Sequence, residues 1–307
     1  CVHFDSRDYE DVLNNDDLAD DKKLIALEKL LSPYFLLKQP FANDSNSLNQ
    51  NFYKELLYII GLEEVKQKGK HIIRRKEKDR QPGSLIENTI NILEVEDAVG
   101  YLKDKSKYGD TGDEQVFNVA LELCLTWVNR VLFLKLLEGL LLTYQSGNKD
   151  YAFLNIDKIQ DFDELYKLFH QVLAVNVPDR RDAIKQKYAN VPYLNSSLFE
   201  ISELEHDAIR INALDNSAPI ELINISVLKD DKKKNAKLTP LEYLFKFLDA
   251  YDFSIEGGED IVEDNKTIIN ASVLGKVFEK INGYKDGSFF TPSFITMYMS
   301  RQSLRLA

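Results

Sequence analysis

"DEQVFNVALELCLTWVNRVLFLKLLEGLLLTY", residues Asp113 to Tyr144, is the stretch on which the fold turns. It holds no proline, and at a rise of ~1.5 Å per residue it predicts a rod of about 48 Å. Apolar side chains occupy nearly every face, the pattern of a helix enclosed by others rather than one lying on a surface. Asn118, Glu122, Asn129, Arg130, Lys135 and Glu138 interrupt the apolar run from Val116 to Leu142, so a membrane span is not expected. The reading is a buried central helix of a mainly α protein, with Arg130, Lys135 and Glu138 marking its wetter side.

Upstream, two shorter helices are punctuated by their own residues. "SLNQNFYKELLYIIG" starts at Ser47, with Gln50 at the capping-box position, and stops at Gly61, where a left-handed residue belongs. "GSLIENTINIL" repeats the signal, Ser84 and Glu87 forming a Ser-x-x-Glu box ahead of Leu85, Ile86, Ile90, Ile92 and Leu93. Between them, Lys66 to Arg80 carries eight Lys/Arg against Glu77 and Asp79. Gly69 within alternating residues predicts a β-hairpin, "EEVKQKG" turning into "KHIIRRK". This patch, with Lys70, Arg74, Arg75 and Lys76 as its candidate DNA contacts, reads either as a solvated hairpin balancing acidic neighbours or as a phosphate-contacting loop. Further upstream, the acidic first thirty residues lead into an amphipathic helix carrying Leu24, Ile25, Leu27, Leu30 and Leu31.

Downstream, "DFDELYKLFHQVLAV" and "PDRRDAIKQKYANV" predict a helix pair separated by Pro178, and "VPYLNSSLFE" breaks the periodicity. After Glu200 short β-branched runs such as "APIELINISVLKD" appear. "LTPLEYLFKFLDAYDFS" restores a helix with Thr239 as cap and Pro240 at its first position, and "NASVLGKVFEKING" gives another, capped by Asn270 and stopped by Gly283.

The 307 residues, 44% hydrophobic and 29% charged, suit a folded protein of two or three domains. Two cysteines build no disulfide framework, which fits a reducing, cytoplasmic setting. The net charge of −11 argues against a generic phosphate binder while leaving local patches open. Four scattered histidines offer no zinc ligand set. No Gly-x-Gly, no Gly-Lys-Ser/Thr and no Gly-x-Ser-x-Gly occurs, so the usual Rossmann, P-loop and serine-hydrolase signatures are missing. No complete active site is visible in the chain.

Taken in order, "DDKKLIALEKLLSP", "FANDSNSLNQNFYKELLYIIGLEE", "GSLIENTINIL", "NRVLFLKLLE", "VPYLNSSLFE", "LGKVFEKING" and "GSFFTP" resemble the large single-chain, type IIG-like restriction-modification enzymes of bacteria. That family fuses a Mg²⁺-dependent endonuclease, a helical connector and an Eco57I-like N6-adenine DNA methyltransferase. The resemblance implies that Phe289, Phe290, Thr291 and Pro292 are the methyltransferase turn that contacts S-adenosylmethionine. Thr291 is suited to cap the following helix and Pro292 to occupy its first position. The Asn/Asp-Pro-Pro-aromatic motif that would grip a flipped adenine is absent, and Ser196 and Ser197 stand where the family has glycines. The implied organisation is an N-terminal linker subdomain over 1–95 following a nuclease, a helical connector over 96–200, and over 201–307 the opening segment of an α/β methyltransferase. Its implied partners are double-stranded DNA and the nuclease and methyltransferase domains of the same chain, with no membrane. A stand-alone helical protein–protein interaction module is the competing reading.

Overall fold

The structure, a computed structural model, describes residues 49–67, 70–194, 196–229, 236–253, 267, 269, 271–286 and 293–306. The expected helix around Leu24–Leu31, and Ser47, Asn270 and Phe289–Pro292, lie outside these. Its contacts divide the chain into units 1–47 and 48–307, and all described residues belong to the second. That unit is mainly helical, as the sequence predicts.

Its order is α1 (Gln50–Ile60), β1 (Leu62–Gln67), β2 (Lys70–Arg75), α2 (Leu85–Val95), α3 (Gly112–Tyr144), α4 (Phe162–Lys167), α5 (Asp182–Lys187), α6 (Glu203–Asp207), β3 (Ile220–Glu221), β4 (Lys237–Leu238), α7 (Pro240–Asp249), α8 (Ala271–Asp286) and α9 (Ser293–Leu306). Each strand pair is a separate two-stranded antiparallel sheet, β1 with β2 and β3 with β4.

The rod is α3, 33 residues long and so about 50 Å. A full capping box starts it: the Glu114 N–H donates to Thr111 Oγ1 at 3.3 Å, and the Glu114 carboxylate accepts from the Thr111 N–H. Val119, Ala120, Cys124, Trp127, Val131, Leu132 and Leu134 are buried along it. α2 packs on its first half, where Thr89 Oγ1 and Cys124 Sγ lie 3.3 Å apart. Burial pushes the Cys124 thiol up to about 12, so it is a packing residue rather than a nucleophile.

Arg130, Lys135 and Glu138 correct the expectation of a wet side, because all three are buried. Each reaches a group beyond the helix, Arg130 meeting Glu205, Lys135 meeting Asp249 and Glu138 accepting from the Phe153 and Leu154 N–H groups, so these polar positions of α3 are joints.

α1 and α7 meet through aromatic rings. Phe52 stacks on Phe247 at 5.0 Å and meets Tyr251 edge-on at 5.0 Å. Gly61 ends α1 as predicted, at φ 99°, its N–H donating to Leu57 O at 2.9 Å and Tyr58 O at 3.1 Å. The N-cap of α1 is Asn49, whose Oδ1 accepts from the Phe52 N–H at 2.9 Å. α8 runs through Gly283 to Asp286, so that glycine does not terminate it. The expected long helix after Phe162 changes pitch: Leu168–Leu173 is a π-helical segment that continues α4.

Gly139, inside α3, shows how tightly the rod is held. A Cβ there would stand 2.6 Å from Phe253 O, a backbone atom that cannot swing away. Alanine normally favours a helix interior over glycine by about 1 kcal/mol. Gly139→Ala is expected to reverse that sign and lower stability by about 1–3 kcal/mol through overpacking. Urea denaturation checks it; an unchanged or raised midpoint would refute the close approach.

Candidate functional site

The predicted basic hairpin forms, with Leu62 opposite Arg75, Glu63 opposite Arg74 and Glu64 opposite Ile73. Because cross-strand partners share a face, the buried Leu62 and Ile73 set the inner side and Glu63 and Arg74 the outer one. Arg74 Nε donates to Glu63 Oε1 at 3.0 Å, and its Nη1 pairs with Glu77 at 2.5 Å. Arg75 grips Glu87 on α2 through two bonds of 2.7 Å. Lys76 Nζ donates to Asp79 O at 3.1 Å and lies 4.8 Å from the Tyr58 ring centroid. Lys70 is the first residue of β2. Arg74 and Arg75 thus have carboxylate counterions, while Lys76, on the turn that leaves β2, meets a main-chain oxygen and an aromatic ring.

Behind Lys76 lies a recess that the sequence does not single out. Tyr58 and Gly61 from the end of α1, Ser84 and Glu87 from the start of α2, and Lys76, Arg80 and Gln81 line it. Ser84 is the N-cap of α2, but its hydroxyl makes no capping bond; the expected Ser84–Glu87 box does not form, because Glu87 is held by Arg75. The Ser84 side chain is buried and its Oγ has no hydrogen-bond partner. The turn before it is fixed from outside. A Cβ on Gly83 would lie 2.1 Å from Ala218 O, and Gln81 Oε1 accepts from the Glu221 N–H at 3.2 Å.

Two buried ionic clusters fasten α3 to the rest of the unit. In the first, Arg130 Nη1 and Nη2 donate to Glu205 at 2.6 and 2.8 Å, and Trp127 Nε1 donates to the same carboxylate at 2.8 Å. The remaining donors of Arg130 reach Leu198 O at 2.6 Å and Glu200 O at 2.7 Å, so it clamps the "NSSLFE" segment directly. The π-helical turn brings Phe169 under the guanidinium, 5.6 Å away, and sets His170 Nδ1 2.8 Å from Phe199 O. Burial, with Arg130 nearby, lowers the His170 pKa, so the ring is neutral at pH 7. Burial pushes the Glu205 carboxyl up, but the bonds from Arg130, Ser202 and Trp127 outweigh it and hold the pKa low.

In the second, Lys135 Nζ pairs with Glu138 at 2.6 Å and with Asp249 on α7 at 2.5 Å. Glu138 also accepts from the Phe153 and Leu154 N–H groups at 2.6 and 2.7 Å. Burial pulls the Lys135 pKa down, and the two carboxylates more than offset this.

A buried carboxylate on α1, Glu55, accepts from Tyr243 Oη at 3.0 Å and the Val227 N–H at 3.2 Å. Desolvation dominates there and raises its pKa. Lys280 on α8 pairs with Glu64 on β1 at 2.8 Å and lies 4.6 Å from the Tyr53 ring centroid.

Among the described residues there is no cluster of three or more His, Cys, Asp or Glu able to hold a metal ion, and no helix long and apolar enough to cross a membrane. Phe289, Phe290, Thr291 and Pro292 lie outside the described residues; α9 follows directly after them.

Searches of curated proteins and of solved structures return no match. A family described as Domain of unknown function (DUF7149) matches residues 1–44. A second, described as Domain of unknown function (DUF7814), matches residues 45–269, so the seam between families nearly coincides with the break in contacts at residue 47. The second match spans well over half of the chain, which therefore belongs to the DUF7814 domain family.

Proposed function

We propose that this chain is the helical connector of a cytoplasmic, single-chain restriction-modification enzyme. In it, the connector holds a Mg²⁺-dependent nuclease and an N6-adenine DNA methyltransferase at a set geometry on double-stranded DNA. Phe289, Phe290, Thr291 and Pro292 contribute one wall of the S-adenosylmethionine site. The supporting observation is that several of the motifs carrying the resemblance are joints of one body. "NRVLFLKLLE" contains Arg130, Lys135 and Glu138; "VPYLNSSLFE" contains the two carbonyls that Arg130 clamps; "LGKVFEKING" contains Lys280. A connector that must transmit position needs such joints to resist bending.

This reading requires the reading frame to continue past Ala307 into an Asn-Pro-Pro-aromatic motif. In that longer protein, Phe290→Ala with Thr291→Ala is expected to weaken S-adenosylmethionine binding by about tenfold or more, measured by calorimetry. Equal binding removes the cofactor assignment. A stop codon after Ala307 removes the connector reading and favours a helical interaction module. That second reading draws on the exposed Ile295, Tyr298 and Met299 of α9.

A further inference from the structure

We propose that the π-helical segment Leu168–Leu173 carries a pH-operated latch, in which neutral His170 holds the short turn Ser197–Phe199 in place and protonated His170 releases it. The inference goes beyond the connector reading and does not depend on it.

Two side chains hold three successive carbonyls of one segment. Arg130 takes Leu198 O and Glu200 O, and His170 takes Phe199 O between them at 2.8 Å. A carbonyl can only accept, so Nδ1 carries the proton of the neutral ring and Nε2 has none. Tyr166, one helical turn earlier, packs on the imidazole with ring centroids 4.7 Å apart. Phe169, the neighbour of His170, meanwhile lies under the Arg130 guanidinium, so the π-helical segment serves both halves of the clamp.

A second proton on the ring gives this site one cation too many. Facing His170 are Arg130 on α3, Glu205 on α6, Arg210 beyond α6, and the Tyr166 ring. Glu205 already serves Arg130 through both oxygens and accepts from Trp127 as well. An imidazolium would therefore bring a third cation to a carboxylate that is fully engaged. Burial, with the two arginines, outweighs the Phe199 bond and holds the ring's pKa below 6.5. The closed turn favours the neutral ring, so the latch contributes fully above that ordinary value and weakens as pH falls toward the lowered one. Glu205 stays ionised over this range because its own pKa is held below 4.5, so the latch starts to open while the Arg130–Glu205 pair is intact. Opening has a defined product. Phe199 is buried against Phe133 and Phe169, its ring 6.1 Å from each, whereas Phe133 and Ile201 are exposed. Release of the turn adds Phe199 to those side chains as an apolar surface uncovered by acid.

The test is a titration of the whole chain from about pH 7.5 to about pH 5, followed by the emission of Trp127 and by hydrogen exchange of the Leu198–Ile201 amides. The expected result is a reversible change in emission with a midpoint below 6.5 and faster exchange confined to those amides. Binding of an apolar fluorescent dye should rise over the same range. His170→Gln keeps an amide donor for Phe199 O but cannot become a cation. With its fold at about pH 7.5 checked by circular dichroism, it is expected to lose all of these responses. The His170 ring resonance of the wild-type chain supplies a check that needs no variant: it should titrate below 6.5, together with the emission. A ring that titrates at or above 6.5, a transition unaltered in His170→Gln, or no transition in the wild-type chain overturns the proposal.

Discussion

Glu205→Ala is expected to cost the protein about 3–5 kcal/mol of unfolding free energy, because it leaves a guanidinium buried without its counterion. Arg130 is 1% exposed and cannot turn to water. Its two main-chain acceptors, Leu198 O and Glu200 O, satisfy hydrogen bonds but supply no opposing charge. The same carboxylate accepts from Trp127, the single tryptophan, so emission from that residue reports the site during unfolding. Replacing the pair together, with Arg130→Met and Glu205→Leu, should lose much less than Glu205→Ala alone. A urea midpoint for Glu205→Ala within error of wild type would refute the account.

The pH dependence has a definite sign. The folded-state pKa of Glu205 lies below its ordinary value of 4.5, so its contribution is fully present above that range and is lost as pH falls through the lowered value. Glu55 acts in the opposite sense. Its pKa is raised in the fold, so its protonated form favours folding and stability declines as pH rises through that raised value. Glu205→Ala should therefore flatten the acid limb of the stability profile, leaving the Glu55 component in place.

Glu138→Ala is the second large effect, again about 3–5 kcal/mol. One side chain has two duties here: it neutralises Lys135 and satisfies the N–H groups of Phe153 and Leu154. Glu138→Gln separates them, since the amide oxygen still accepts from the main chain while the charge is lost. Thermal unfolding should place Glu138→Gln between wild type and Glu138→Ala. Equal midpoints for the two variants would show that the main-chain bonds carry nothing.

The fold class, the rod and the hairpin were legible because each rests on a local signal: length without proline, apolar periodicity, or alternation about Gly69. Gly61 was legible for the same reason, since a left-handed helix end needs a residue without a side chain. Misread positions depend on partners far along the chain. Arg130 looked solvent-facing because a cation in an apolar run carries no sign that Glu205 waits 75 residues on. Ser84 and Glu87 matched a capping box, yet Arg75 from the hairpin had the stronger claim on Glu87. The pitch change at Leu168–Leu173 leaves no mark in an apolar pattern that either helix satisfies. Of the candidate site, the basic run was visible as composition; that Glu63 faces Arg74 follows from strand register, and that Glu87 faces Arg75 from where α2 starts beside the hairpin.

The two ionic clusters on α3 also constrain where the gene can be cut. Protein engineers looking for a minimal piece would naturally end it in the irregular region near residue 200. Such a truncation retains Arg130 and Lys135 in the interior but discards Glu205 and Asp249, the carboxylates that downstream sequence supplies. Useful expression boundaries must therefore enclose α3 through α7 as one block, since the rod carries cations whose counterions are encoded 75 and 114 positions later.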